Sequence, residues 1–312
     1  MALRALVVGG TSGIGYAMAC RIAAASPSAS VTISGRTKPM DTPHANIDFM
    51  PIEATSMKEI RRFTDTFKQS QVASGNMRAQ AESSDQKNKL DLLVMTQGIM
   101  TMAGRTETSE GIDRKMALHY YGKQLLIREL LPVMKDGAKV VIVYDSKTGD
   151  ADKLIWDDLD LKEHFGLGTA ANHCMVMNDI MIQHYAAQQQ NTPQRKGTDA
   201  AERRHFVHAW PGGVNTEGLM REMPWLLRST MKMVAPLLAP LITVTPATCA
   251  EYLLDGVEDI ARTTRNAESG SFYSYIDNKG RVLVDKPIFT EEQRNKIADH
   301  TWKLINHALG GS

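Results

Sequence analysis

The residues best placed to do chemistry begin at the amino end. The segment "VVGGTSGIG" (7–15) sets Gly9, Gly13 and Gly15 between an apolar run and an Ala-rich stretch, with Thr11, Ser12 and Ile14 completing the loop. Glycine there lets the backbone turn sharply and approach a pyrophosphate, and the following helix supplies free N–H groups and a positive dipole end. Strand before and helix after make this spacing a nucleotide signal rather than a mere turn. The next β-branched segment ends in "SGRTK", offering Arg36 and Lys38. Many nucleotide folds place a carboxylate here to take the ribose hydroxyls. Cations suit a 2′-phosphate instead, so the expected cofactor is NADP(H).

These groups need a scaffold, and the chain spells one out. Leu3–Val8, "SVTISGR", "IDFMPIEA" (47–54), "LDLLVMTQG" (90–98) and "AKVVIVYDS" (138–146) read as strands. "IGYAMACRIAAA", "SMKEIRRFTDTFKQ" and "KMALHYYGKQLLIRELLPVM" (115–134) read as helices between them. In the second helix Ile60, Phe63 and Phe67 share a stripe, and Ser56 with Glu59 forms a capping-box pattern. Strand–helix alternation predicts one Rossmann-type α/β domain over 1–312, a doubly wound parallel sheet with helices on both faces. Polar segments at 70–89 and 188–204 read as surface insertions.

The motifs resemble the short-chain dehydrogenase/reductase family over nearly the whole chain. They are most similar to its retinol-dehydrogenase-like and WW-domain-oxidoreductase-like branch. The family's Gly-rich turn is present with Val8 in the usual Thr position. The resemblance implies that Glu53 meets the adenine, that Gly98 of "TQG" lies along the cofactor, and that Pro211, Gly212 and Thr216 of "WPGGVNT" meet the nicotinamide. It places Ser146 at the catalytic serine. "WDDLDLKEHF" (156–165) and "SFYSYIDNKGRV" (271–282) are similar to segments of the same branch.

The family's Tyr–Lys pair is where the pattern breaks. Aligned from "WDDLDL", the Tyr position is Ala171 and the Lys position is Met175, while Asn178 keeps the register. A YxxxK does occur at Tyr275–Lys279, but in a strand running into a turn, where i and i+4 do not share a face. His119 replaces the family's helix Asn, and His173 lies two positions from Ala171. Histidine exchanges protons near neutrality. Ser146, His119 and His173 are therefore the candidate catalytic residues, with Tyr144 and Asp145 flanking the serine.

The stretch 218–246 is long, Met-rich and apolar, with Pro224, Pro236 and Pro240. In the family it closes over substrate; here it suits a bulky lipophilic molecule such as a polyketide, terpenoid or retinoid-like compound. Three functions compete: an NADP(H)-dependent oxidoreductase of a lipophilic carbonyl or alcohol, a non-redox cyclase, isomerase or dehydratase of a secondary metabolite, and a silent NADPH-binding protein.

Composition removes other classes. Lys and Arg total 36 against 35 Asp and Glu, a net charge of +1, which gives no field for nucleic acid. Cys20, Cys174 and Cys249 are widely spaced and read as free thiols of a reducing, cytoplasmic compartment. No metal-ligand spacing, Gly-x-Ser-x-Gly elbow, signal peptide or spanning apolar run is expected. Interfacial membrane contact through Trp225, Arg228 and Lys232, and a homodimer, remain as partner expectations.

Overall fold

A computed structural model of the chain describes residues 3–76, 89–191, 203–214, 243–265 and 271–310. Seven strands form one sheet in the order β3-β2-β1-β4-β5-β6-β7. They are β1 Arg4–Val8, β2 Ser30–Gly35, β3 Ile47–Pro51, β4 Leu90–Met95, β5 Met134–Val143, β6 His205–Ala209 and β7 Tyr273–Ile276. Every neighbouring pair is parallel. The central strands are apolar on both faces because helices cover both. Val7 and Val141 face one side, and Leu6 and Val140 the other; all four are fully buried.

Helices α1 (Gly13–Ala25) and α6 (Pro246–Arg265) pack on the first face. Helices α2 (Met57–Asn76), α4 (Gly122–Leu130), α5 (Leu167–Asn191) and α7 (Glu291–Ala308) pack on the second. The reversal of strand order between β1 and β4 opens a crevice at the carboxyl ends of the strands. In open α/β sheets ligands bind at that switch point.

Several local expectations change. The helix expected over 115–134 runs without a gap from Arg114 to Val133, as α3 (Arg114–Met116), a π-helical turn (Ala117–Tyr121), α4 and a 3₁₀ turn (Leu131–Val133). β5 stops at Val143, so Ser146 lies beyond the strand; the Asp145 carboxylate accepts from the N–H groups of Lys147 and Thr148 and turns the chain away. Ser56 does accept from the Glu59 N–H at 3.3 Å. Glu59 pairs with Arg62 instead of closing a capping box. The carboxylate at the start of α2 comes from Glu110, which accepts from the Met57 and Lys58 N–H groups and the Ser56 hydroxyl. Such a charge at a helix N-terminus satisfies orphan donors and complements the dipole. Ile60, Phe63 and Phe67 are buried in one stripe.

α2 extends to Asn76 and α5 to Asn191, so both insertions open as continuations of helices. Residues 77–88 and 192–202 of those insertions lie outside the described residues, as do 215–242 of the expected lid and Thr216. Tyr275 ends up in β7 and Lys279 in the turn after it, as their context predicts.

Candidate active site and cofactor cradle

The Gly-rich turn folds as a cradle. Gly9 has φ +82° and its N–H, like that of Gly10, donates to the Ser34 carbonyl at the end of β2. A Cβ on Gly9 would lie 2.6 Å from the backbone nitrogen of Gln97. Gly15 packs equally close to the Gly9 carbonyl and the Thr96 hydroxyl. Thr96 locks the arrangement, donating toward the carbonyls of Val8 and Gly9. Ser12 caps α1 in an extended conformation with no side-chain bond to the helix, so the first N–H groups have no cap from that side chain. Thr11 lies against Gly35, whose Cβ would sit 2.6 Å from the Thr11 hydroxyl. Ile14 packs against the first-face core.

Arg36 and Lys38 follow β2 and are exposed. Arg36 shares one recess with Glu53 and Arg62, beside Met50 and Phe63. Glu53 accepts from the Thr55 N–H and hydroxyl, which orients its carboxylate at the end of β3. Gly98 lies against His119, and a Cβ there would be 3.1 Å from the imidazole Nε2. Pro211 and Gly212 follow β6, and Gly212 turns with φ +68° beside Asn278. The residues present thus fit a dinucleotide: glycines admit the backbone of the turn, a helix N-terminus faces the crevice, and cations stand at the end of β2.

The candidate catalytic residues separate. The Ile99 N–H donates to His119 Nε2 at 2.9 Å. Its ring lies 4.8 Å from that of Tyr144, and Tyr144 stacks at 6.5 Å on His208 of β6. The residue is half-buried, and its ring sits deep in the protein. That desolvation, with Lys123 behind it, drives its pKa down to about 3. The expectation that His119 cycles a proton near neutrality is corrected accordingly: the imidazole is neutral across that range.

His173 is fully buried. Its Nε2 accepts from the Ile155 N–H at 3.1 Å, and Nδ1 faces the Leu159 carbonyl at 3.4 Å. The imidazole clamps the 151–161 segment onto α5. Ser146 is also fully buried. Its hydroxyl donates to the Ile276 carbonyl at 2.9 Å, which also accepts from the Trp210 N–H. The hydroxyl therefore ties the chain after β5 to β7.

Ala171 and Met175 are half-buried on α5. Met175 Sδ lies 3.6 Å from the Thr148 hydroxyl. Tyr144 follows directly on β5, and burial holds its phenol neutral well above the ordinary range. Asn178 donates to the His119 carbonyl at 3.0 Å and accepts from Gln124, which in turn accepts from Tyr185. That chain ties α5 to the π-helical turn.

Two groups escaped the sequence reading. Lys123 is buried, donating to the carbonyls of Met95 at 3.1 Å and Val143 at 3.3 Å; burial lowers its pKa to about 7. Its signal was available, a lysine inside the apolar run "YYGKQLLI". The second is a buried trio. Asp179 lies 2.6 Å from both His208 Nδ1 and Lys286 Nζ. Only folding brings those three positions together. Among the described residues no His/Cys/Asp/Glu group could hold a metal, and the three cysteines are free thiols.

A short chain dehydrogenase family model matches residues 4–152. An oxidoreductase of Emericella nidulans is 30% identical over 224 residues, 71% of this chain and 61% of that protein. The human polyprenol dehydrogenase is 26% identical over 75% of this chain and 67% of its own. Among solved structures, an angucycline C-6 ketoreductase with bound NADP superposes with a TM-score of 0.56 at 17% identity, over 89% of this chain and 94% of that one. The sheet and crevice define a Rossmann-type α/β fold. Residues 4–152 thus match the short-chain dehydrogenase/reductase family, whose members bind a nicotinamide cofactor. The chain spans about three-fifths of the length of its Emericella relative.

Proposed function

We propose that the protein is an NADP(H)-dependent oxidoreductase that reduces a carbonyl on a bulky lipophilic molecule. The carrying observation is the cradle: Gly9 and Gly15 closed against Thr96 and Gln97, with Arg36 at the end of β2 where a carboxylate would repel a 2′-phosphate. Thr11, Ser12, Gly13 and Ile14 would line the pyrophosphate, Arg36 and Lys38 the 2′-phosphate, Glu53 the adenine side, and Gly98, Pro211, Gly212 and Thr216 the nicotinamide half. The bound cofactor would supply a hydride. The lipophilic class of substrate is inferred from the apolar composition of 218–246. It agrees with the names of a relative and a fold neighbour, a polyprenol dehydrogenase and an angucycline ketoreductase.

The test is a fluorescence titration with NADPH and NADH. NADPH-selective binding that inverts toward NADH in Arg36→Glu supports the reading. Equal or absent binding of both would sink it. Product formed from a lipophilic substrate without NADPH oxidation would instead favour a non-redox reaction, which Ala171 and Met175 at the Tyr and Lys positions make the second reading.

A further inference from the structure

An oxyanion that develops on a reduced carbonyl needs a donor aimed at it. The helix that normally brings a tyrosine carries Ala171 and Met175 here. Beside that helix, and tied to it through Asn178, the π-helical turn carries His119, with Lys123 four residues on in α4. π-turns inside helices often mark functional sites. The tautomer of His119 is set by its surroundings. Nε2 accepts from the Ile99 N–H, so the ring proton sits on Nδ1. Nδ1 has no hydrogen-bond partner among the described residues, and it is not among their sealed, unpartnered polar atoms.

We propose that His119 is a fixed, neutral hydrogen-bond donor, whose Nδ1–H polarises the oxygen of a bound ketone in place of the absent α5 tyrosine. This rests on the reductase reading above. A neutral imidazole serving as an electrophile, rather than as an acid, is established chemistry for enolising enzymes. His119 keeps its proton throughout. As the ketone carbon gains the hydride and its electron pair, the carbonyl π pair moves onto oxygen, and that oxygen takes a proton from water.

The groups that face the ring fix its charge state. Burial disfavours the imidazolium first, and Lys123 on the same helix disfavours it next. Asp113, the cap of α3, acts in the opposite direction, and Lys115 adds to Lys123. Tyr144, just after β5, presents a neutral phenol ring. Taking up a proton on Nε2 would also break the bond from Ile99. Lys123 does not touch the crevice; its ammonium is sealed between the strand ends of β4 and β5. It is a positioning residue, acting through the charge state of His119.

Two measurements test the assignment. The first needs no cofactor. Long-range ¹H–¹⁵N spectra of histidine-labelled protein, with His119 identified by its loss in His119→Asn, should show the Nδ1–H tautomer unchanged from pH 5 to 8. In Lys123→Met the pKa of His119 should move upward. An Nε2–H tautomer, or titration of His119 near 6.5 in the native chain, overturns the proposal.

The second measurement follows NADPH oxidation with trans-1-decalone and benzil. His119→Phe keeps a ring against Tyr144 but removes the donor, and should lower kcat by ~10²-fold or more, the usual loss of one oxyanion donor. KM for NADPH should hold. His119→Asn, whose amide N–H can occupy the Nδ1 position, should recover most of that loss, and thermal melts check that both variants fold. Equal kcat in native and Phe variants, or equal loss in both, overturns the role of His119 and leaves the reductase reading standing. No NADPH binding by the native chain, or no oxidation with either ketone, counts against that reading and the proposal together.

Discussion

At the scale of single residues, the same amino acid means different things in different company. His119 and His173 are both histidines near the crevice, and both have lowered pKa values through burial. Both nitrogens of His173 face backbone groups, while Nδ1 of His119 is left without one. No spacing rule separates those cases; the partners come from Ile155, Leu159 and Ile99, which only the fold supplies. Ser146 teaches the same lesson. Its sequence context implies catalysis, but its hydroxyl is buried on the Ile276 carbonyl. Ser146→Ala should therefore cost about 1 kcal/mol of stability, since Ile276 keeps the bond from Trp210. NADPH turnover should change less than threefold; a hundredfold fall would restore the serine to the mechanism.

At the scale of elements, the strands, the Gly-rich turn and the stripe of α2 were legible because each depends on local order. Apolar runs, a glycine spacing and a 3.6-residue period are written in neighbouring positions. The π-helical turn at Ala117–Tyr121 and the cap that Glu110 gives α2 were not, because neither is written in a local residue pattern. The trio of Asp179, His208 and Lys286 belongs to this scale, joining α5, β6 and the segment before α7. Removing one member of a buried charge pair strands the other in low dielectric. Asp179→Ala is expected to cost ~3–5 kcal/mol by that argument, read as a fall in the urea midpoint. A cost under about 1 kcal/mol would mean that water reaches Lys286 and that the trio is not sealed.

At the scale of the whole molecule, buried titratable groups set the pH range in which the fold persists. His119 and His205 have folded pKa values of about 3 and about 4, below the 6.5 of an unfolded histidine. Between those limits the unfolded chain binds more protons, so stability rises with pH. Their contribution is complete above about pH 6.5 and is lost as pH falls toward 3. Lys123, lowered by burial to about 7, continues the rise above neutrality. Burial raises the Cys249 thiol to about 12 and pushes Cys174, Tyr121 and Tyr185 up as well. For these groups the unfolded chain loses its protons first, so stability falls above about pH 9. Thermal melts from pH 4 to 10 should give a maximum between about 7 and 9. A maximum near pH 5 would show that the histidines are charged in the folded protein. No described helix is long and apolar enough to cross a membrane.

The π-helical turn has one more consequence, which concerns length rather than identity. It spends five residues, Ala117–Tyr121, on a turn that an α-helix completes in 3.6. One residue rotates a helix by roughly 100°, so all of α4 is set in phase by that extra position. Deleting a residue there would swing Lys123 away from the Met95 and Val143 carbonyls and Gln124 away from Asn178, with every side chain chemically unchanged. Relatives that differ by a single insertion or deletion at this point would therefore share the fold and most of the residues, yet present a different wall to the crevice.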